Sequence, residues 1–408
     1  MKIIKKQIND LLTKELQKIT SKIGDGLHGT PKYTDNGDYY FINGNNLSGI
    51  IKFNGNDKKV SKIEFDKYKK PIDLNTIFFS INGTIGHISK YKNEKIVLSK
   101  SVCYINPINN VLDSTFLYYY LKNNNIKNQI ERNSNEAVIK NVSLRTMREL
   151  RIKLPNSFKK QQQIATVLSQ QEEQVNKIKT LIEKLEKRNQ YYAERLLSGE
   201  LRVREGDNGK VEFYENTEWK EIYINGKNKF IPENWCYSKI SEYMIDNKKS
   251  SFAAKDSNIN GIYPFYNCSK KQKLFINKEN MRLPSILLST GGVAAVHYAE
   301  YDRYAYSSDV YSFNIKEINE KFISYYLKNK ISEIDSYFQG AAIKHLSKRQ
   351  FKNMFIPIIK NNECLLINKA LDLMFKEEED IRKLLEKEQK RFDWMSDALL
   401  SGEYQIVD

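Results

Sequence analysis

Leu196-Leu-Ser-Gly-Glu200 returns as Leu399-Leu-Ser-Gly-Glu403, a shift of 203. Upstream, Ala137, Ile139, Lys140, Ser143 and Arg145 reappear as Ala341, Ile343, Lys344, Ser347 and Arg349, a shift of 204. Phe116, Tyr119, Tyr120, Leu121, Lys122 and Asn123 reappear as Phe322, Tyr325, Tyr326, Leu327, Lys328 and Asn329, a shift of 206. A long period repeated once predicts a pseudo-two-fold object rather than a solenoid. Such an object suits a two-fold ligand, and duplex DNA is the commonest.

Each copy of the closing motif ends a long helical pattern. From Lys160 to Leu197 there is no Gly or Pro, and apolar residues recur at steps of three and four. The first seam runs Ile164, Leu168, Gln171, Val175, Ile178, Ile182, Leu185, Asn189, Tyr192, Leu196. The second runs Ile367, Leu371, Met374, Glu378, Ile381, Leu385, Glu388, Phe392, Met395, Leu399. A repeat of 3.5 residues keeps one stripe facing a partner, so both segments predict coiled-coil helices, each roughly 55 Å long. The simplest partner for each stripe is the other copy, packed antiparallel. Gly199 and Gly402 are placed to cap the helices. Gln171, Asn189, Glu378 and Glu388 interrupt the stripes; they either fix register or lie at frayed or partner-covered ends.

The segments before the helices, residues 17–158 and 206–358, are rich in Asn, Gly, Tyr and Lys. Short β-like runs lie at Asp38–Ile42, Thr76–Ile81, Ile96–Ile105, Ser285–Leu288 and Tyr304–Phe313. Helical stretches at Asp113–Asn123 and Asn319–Asn329 follow, then β-like runs at Leu150–Leu154 and Met354–Ile359. This predicts a mixed α/β (α+β) domain in two copies. The expected organisation is a first domain over 1–158, a first spacer helix over 159–205, a linker and second domain over 206–358, and a second spacer helix over 359–408. Gly206–Gly209 and the polar run to Trp219 read as linker. Ile4, Ile8, Leu11, Leu12 and Leu16 predict a short amphipathic N-terminal helix in place of any counterpart of Pro232 and Trp235.

The formal charge is +16, with +12 on residues 1–158, +3 on 159–205, +5 on 206–358 and −4 on 359–408. A basic excess predicts salt-dependent attraction to phosphate backbones; an AT-rich genome also produces lysine-rich composition. No apolar run reaches 18 residues, so no membrane span or membrane partner is expected. The four cysteines are scattered, without metal or disulfide spacing, which fits a reduced cytoplasm.

Loops carrying Asn, Thr, Tyr, Lys and Gly present base-edge donors and acceptors as well as phosphate ligands. Three places supply the candidates. Gly24–Tyr33 is a glycine-rich turn with His28, Thr30, Lys32 and Tyr33. Ser80-Ile-Asn-Gly-Thr-Ile-Gly86, with Asn82 and Thr84, matches Ser289-Thr-Gly-Gly-Val-Ala-Ala295, with Thr290. Ala137-Val-Ile-Lys140 matches Ala341-Ala-Ile-Lys344. For each a plainer role stands beside base reading: His28 as a turn histidine, the glycines as hairpin, Lys140 and Lys344 as solvated charges.

Catalytic motifs are missing. The only Asn-Pro, Asn106-Pro107, is followed by Ile108 rather than the Pro-aromatic pair of a methyltransferase, and there is no phosphate-cradling Gly-x-x-x-x-Gly-Lys-Ser/Thr. The four histidines form no zinc spacing. The chain therefore reads as non-catalytic.

The layout resembles the DNA-specificity subunit of Type I restriction–modification systems, on Gly24–Tyr33, Ser80–Gly86, Ile231-Pro-Glu-Asn-Trp235, Gln161-Gln-Gln-Ile164 and the twin Leu-Leu-Ser-Gly-Glu closings. The resemblance covers almost the whole chain. It implies two target-recognition domains, held apart by two antiparallel helices, each reading one half of a split target in double-stranded DNA. It also implies partners: two modification subunits that hold S-adenosylmethionine, and restriction subunits that use ATP and Mg. No cofactor or metal is then expected in this chain. On the residues alone, a coiled-coil scaffold that does not read DNA, a stand-alone DNA-modifying enzyme, and RNA binding stay open.

Overall fold

The computed structural model describes residues 2–5, 11–132, 141–272, 274–342 and 344–407. The chain forms two compact units, Met1–Lys179 with Lys383–Asp408, and Thr180–Arg382. Each long helix, Phe158–Ser198 and Asn361–Ser401, therefore contributes to both units.

In the first unit an antiparallel sheet has the strand order Thr20–Asp25, Val102–Pro107, Ile77–Ser80, Ile88–Lys90. Every residue of Ile77–Ser80 and Val102–Pro107 is buried, so these central strands are apolar on both faces apart from Ser80 and Asn106. A smaller sheet is centred on Tyr39–Ile42, parallel to Ile96–Leu98 and antiparallel to Lys59–Val60. Helix Ser114–Lys122 covers the larger sheet with Phe116, Leu117 and Tyr120 in the shared core. Its start is fixed by Asp113, whose carboxylate accepts the Phe116 N–H at 2.8 Å. Gln161, fully buried in the first turn of the long helix, accepts the Asp113 N–H at 2.9 Å and donates to the carbonyls of Val111 and Pro155.

The second unit repeats this plan. Its antiparallel sheet runs Met244–Asp246, Val310–Ile315, Ser285–Ser289, Val296–Ala299. Its smaller sheet is centred on Tyr263–Tyr266, parallel to Ala305–Tyr306 and antiparallel to Leu274–Ile276. Helix Glu320–Asn329 starts at Asn319, which accepts the Phe322 N–H as Asp113 accepts that of Phe116. Beneath it Arg202 and Glu363 form a buried two-bond ion pair at 2.6 and 2.8 Å, with the Arg202 guanidinium against the Trp235 ring.

The long helices pair antiparallel, and every seam position is buried or half-buried. Leu168, Val175, Ile182, Leu185 and Leu371 are buried; Ile178, Ile381, Leu385 and Phe392 are half-buried. The polar interruptions meet each other. In the first unit Gln171 donates to Glu388 at 2.8 Å. In the second, Asn189 donates to Glu378 at 3.0 Å and to the Met374 carbonyl at 3.1 Å. The frayed-end alternative is excluded for these four. A shift of 203 from Gln171 and Asn189 gives Met374 and Phe392, so the two polar crossings are not copies of each other.

Two expectations are corrected. The N-terminal residues form strands, not a helix: Lys2–Lys5 pairs with Tyr404–Val407, and Leu11–Glu15 pairs with Arg151–Pro155. Ile8 lies outside the described residues. Leu11 also supplies the missing counterpart of Pro232 and Trp235, because it packs on Gly402 as those two pack on Gly199. Within the stretch read as linker, residues 206–219, Val211–Glu215 forms a strand that pairs back onto Leu201–Glu205, and Trp219 opens the hairpin of Trp219–Ile224 with Lys227–Pro232.

Candidate nucleic-acid interface

In the first unit, four strands deliver their C-terminal ends to one place. Loops after Thr20–Asp25, Tyr39–Ile42, Ile77–Ser80 and Ile96–Leu98 line a cleft of about 590 Å³. His28, Thr30, Asn82 and Thr84, expected from sequence, line it together with Phe41, Asn43, Asn45, Lys100 and Ser101. The run Ile96–Ile105 is thus two strands separated by a turn. The Ser99 N–H is bound to the Ile42 carbonyl, and the Ser99 and Ser101 hydroxyls lie 2.8 Å apart.

The cleft walls are held by the backbone. Ser80 donates its hydroxyl to the Thr84 carbonyl at 2.7 Å and accepts the His87 N–H at 2.8 Å, closing the 81–86 loop. The Asn43 side chain accepts the Asn45 N–H, and the Asn43 N–H donates to the Asn46 carboxamide oxygen, a reciprocal cap. The Asn45 and Asn82 carboxamides make no hydrogen bond among the described residues, so each keeps a donor and an acceptor available. His28 is exposed and its Nε2 lies 2.7 Å from Asp25 Oδ2.

Lys32 and Tyr33 lie beside the cleft rather than in it. The Lys32 N–H donates to Glu64 at 2.9 Å, leaving its ammonium in solvent. The Tyr33 ring sits 5.9 Å from that of Phe41, a cleft residue, and under the Lys58 ammonium. Lys59 over Tyr40 and Lys95 over Tyr39 continue this alternation of cations and rings. Lys140 lies outside the described residues; the next residue, Asn141, is bridged to Asn82, and Val142 N–H is bound to the Ile81 carbonyl.

The second unit builds the same loop from different residues. Ser289 donates to the Val293 carbonyl at 2.7 Å and accepts the Ala295 N–H at 2.9 Å. Gly291 is bridged to His345, and Leu346 N–H is bound to the Thr290 carbonyl. By these bonds Ile81 corresponds to Thr290, Asn82 to Gly291, Asn141 to His345 and Lys140 to Lys344. Thr290 is half-buried and its hydroxyl is spent on the Asp309 carbonyl at 2.7 Å, so its side chain anchors the loop from within. The Lys344 carbonyl accepts the Gly292 N–H, and its ammonium is exposed. Sequence reading missed Asn43, Asn45, Lys100, Ser101 and His345. The first two stood in an uninterpreted Asn-Gly-Asn-Asn run, and Lys100 was hidden inside an apparent single strand.

Burial pushes the Cys103 thiol well above its usual range and the Cys364 thiol up to about 12, so both are neutral packing groups. Asn106 donates to the Pro71 carbonyl and accepts from Thr76, a structural role that Asn314 repeats with Pro284. Among the described residues no group of His, Cys, Asp and Glu is placed to hold a metal ion.

The model of the Type I restriction modification DNA specificity domain matches residues 5–187 and 232–387. The chain belongs to that family. The specificity subunit of Type I restriction–modification systems thus accounts for both copies of the repeat. The fold is similar to the crystal structure of the Type I restriction–modification S subunit from M. genitalium, with a TM-score of 0.60 and 18% identity over 98% of this chain and 97% of that one. It is also similar to a chain from a structure describing complex assembly and conformational transition of the type I R-M system, with a TM-score of 0.54 and 12% identity over 97% and 98%. No helix among the described residues is long and apolar enough to cross a membrane.

Proposed function

We propose that this specificity subunit is non-catalytic and reads a bipartite target in double-stranded DNA, one half with each unit. It directs adenine methylation or cleavage by two modification subunits and by restriction subunits, which bring S-adenosylmethionine, ATP and Mg. The observation that carries this reading is the doubled loop: Ser80 and Ser289 close it identically, whereas Asn82 and Asn141 face one reader and Gly291 and His345 the other. A common scaffold with different side chains is what two half-sites of different sequence require. In the first unit, Lys32, Lys58 and Lys100 hold phosphates while Asn45, Asn82, Thr30 and His28 read base edges. Taking the target base out of the stack belongs to the modification subunits.

Co-expression with the modification subunit, followed by methylome sequencing, tests this. A split adenine-methylated motif supports it; a continuous motif, or no methylation, refutes it. The helices would act as the ruler between half-sites, for which docking on one DNA face favours a separation of about 34–36 Å. Inserting one heptad into each helix should then change or abolish the spacer preference, and an unchanged spacer would rule the ruler out.

A further inference from the structure

In each unit the loop after the central strand of the smaller sheet begins in the same way. Asn43 and Asn267 follow that strand, and their side chains accept the N–H two residues on, from Asn45 at 2.8 Å and from Ser269 at 2.9 Å. Ser99 and Ser307 fix the equivalence by donating their N–H groups to the Ile42 and Tyr266 carbonyls. Asn45 therefore corresponds to Ser269, and Gly44 to Cys268. An imidazole then fastens each loop to the larger sheet. His87 immediately precedes the edge strand Ile88–Lys90, and His297 lies in the edge strand Val296–Ala299. His87 Nδ1 is 3.2 Å from the Gly44 carbonyl oxygen, and His297 Nε2 is 2.7 Å from that of Ser269. A carbonyl oxygen only accepts, so in each ring the contacting nitrogen carries the proton and donates.

The two histidines are not copies of each other. Strand register pairs Phe78 with Ser89 and Leu287 with His297, so His297 stands where the first unit has Ser89. The Ser80 and Ser289 hydroxyls accept the N–H groups of His87 and Ala295, so Ala295 stands where the first unit has His87. Positions two apart on an extended chain share a face, and either can reach the loop. The loops explain the move. A Cβ on Gly44 would lie 2.8 Å from the Ser80 Cβ, so only glycine brings the backbone this close to the strand. Cys268 carries a side chain at that place, its thiol donating to the Asp309 carbonyl at 3.0 Å, and the fastened carbonyl is the next one along. Duplication alone would have put both histidines at one position. The same contact built twice from different positions marks the contact as what each loop needs.

The contact sets where the loop's side chains point. The peptide group between Gly44 and Asn45 is planar; His87 holds its carbonyl and Asn43 holds its N–H. Asn45 departs from that fixed plane into the cleft, which Gly44 and Asn45 line and His87 does not. In the second unit Ser269 is held at its N–H by Asn267 and at its carbonyl by His297, and the exposed Lys270 and Lys271 follow. The His297 ring is itself seated 5.4 Å from the ring of the buried Tyr266.

We infer that His87 and His297 are positioning residues for base reading: each holds one loop of its unit in place against a DNA half-site without itself touching a base. The inference rests on the reading of the chain as a DNA-specificity subunit and adds the side chains that aim one loop of each reader.

The full chain, co-expressed with the modification subunit, tests it in two pairs of variants. His87→Leu and His297→Leu remove the donor; His87→Asn and His297→Gln keep an amide N–H near the place of the ring nitrogen that donates. The wild-type methylome gives the target, and methylation rates are measured on that duplex and on duplexes with one base pair changed. A hydrogen bond of this kind is worth about threefold to tenfold, and each Leu variant should lose about that much discrimination. His87→Leu should lose it in one half of the target only, and His297→Leu in the other half only. The Asn and Gln variants should keep the wild-type discrimination. Unchanged discrimination in both Leu variants overturns the inference. So does a rate lowered equally on matched and altered duplexes, which is the sign of a lost fold. Equal loss in the Asn and Gln variants also overturns it, because rings that read bases directly give that result. A wild-type chain that directs no split motif refutes the functional reading instead, an outcome seen before any variant is compared.

Discussion

The twin closing glycines occupy the same conformation but face different neighbours, and this predicts unequal costs for the same substitution. Gly199 has φ of 81° and Gly402 of 77°, the left-handed region in which an L residue costs about 1–2 kcal/mol. A Cβ on Gly199 would lie 2.3 Å from Pro232 Cγ and 3.1 Å from Trp235 Cη2. Pro232 is locked in a ring and paired to Trp219, and Trp235 is fully buried, so neither retreats easily. Overpacking such a site adds about 1–3 kcal/mol, bringing Gly199→Ala to about 2–5 kcal/mol. A Cβ on Gly402 would also lie 2.3 Å from its neighbour, but that neighbour is the Leu11 Cδ1 methyl, on a half-buried side chain free to change rotamer. Gly402→Ala should stay near about 1–2 kcal/mol. For units of about 200 residues each kcal/mol shifts Tm by about 2–4 °C, so the Gly199 variant should melt several degrees below the Gly402 variant. Thermal unfolding gives the difference, and amide exchange locates it: protection should fall in Leu201–Glu205 for one variant and in Tyr404–Val407 for the other. Equal losses, or a larger loss at Gly402, would refute the claim that the rigidity of the neighbour sets the cost.

The helix seam gives a second prediction. Asn189→Ala leaves Glu378 facing the seam without its amide partner and should cost about 1–3 kcal/mol in denaturant unfolding, whereas Asn189→Ala in a Glu378→Ala background should cost clearly less. A pH dependence follows from His297, whose ring is held below its ordinary pKa by burial, despite the bond from Nε2 to the Ser269 carbonyl at 2.7 Å. Below about pH 6.5 the unfolded chain then binds the proton more readily than the folded one, so stability should fall as pH drops through the unfolded value. His297→Gln should flatten that part of the stability profile, measured as the difference from wild type between pH 5 and 7. At the cleft, Asn45→Ala and Asn82→Ala each remove an amide of the kind that pairs bidentately with adenine, worth about 1–3 kcal/mol of discrimination. The methylome of each variant should relax at a position in one half of the motif only; an unaltered motif in both would remove these asparagines from base reading.

What the sequence revealed and what it concealed follows from where the partners of each segment lie. The seams were legible because a heptad repeat is written locally, residue after residue, and Leu168 and Leu371 sit where the period puts them. The repeat was legible for the same reason: Asp113 and Asn319, or Ser143 and Ser347, cap their helices through neighbours three residues away. The N-terminal strands were not, because Ile4, Leu11, Leu12 and Leu16 fit a helical spacing in isolation. Their true partners, Gln405 and the strand Arg151–Pro155, are far along the chain. Thr290 shows the same limit within the interface. Matching it to the Ser80–Gly86 loop located the loop correctly, yet alignment carries no side-chain direction, and the hydroxyl turns inward to Asp309.

The two polar crossings in the seam bear on how a repeated chain avoids pairing with itself incorrectly. Had both helices carried identical apolar stripes, a slip by one heptad, or a helix pairing with its equivalent in another chain, would bury nearly the same surface. Gln171 opposite Glu388 and Asn189 opposite Glu378 break that degeneracy, because a slipped arrangement strands each polar group among aliphatic side chains at about 1–3 kcal/mol apiece. Since the positions related to Gln171 and Asn189 by the repeat are Met374 and Phe392, the penalty also distinguishes the first helix from the second. Gene duplication alone would have produced two interchangeable helices. The substitutions that make them unlike are what hold one antiparallel register.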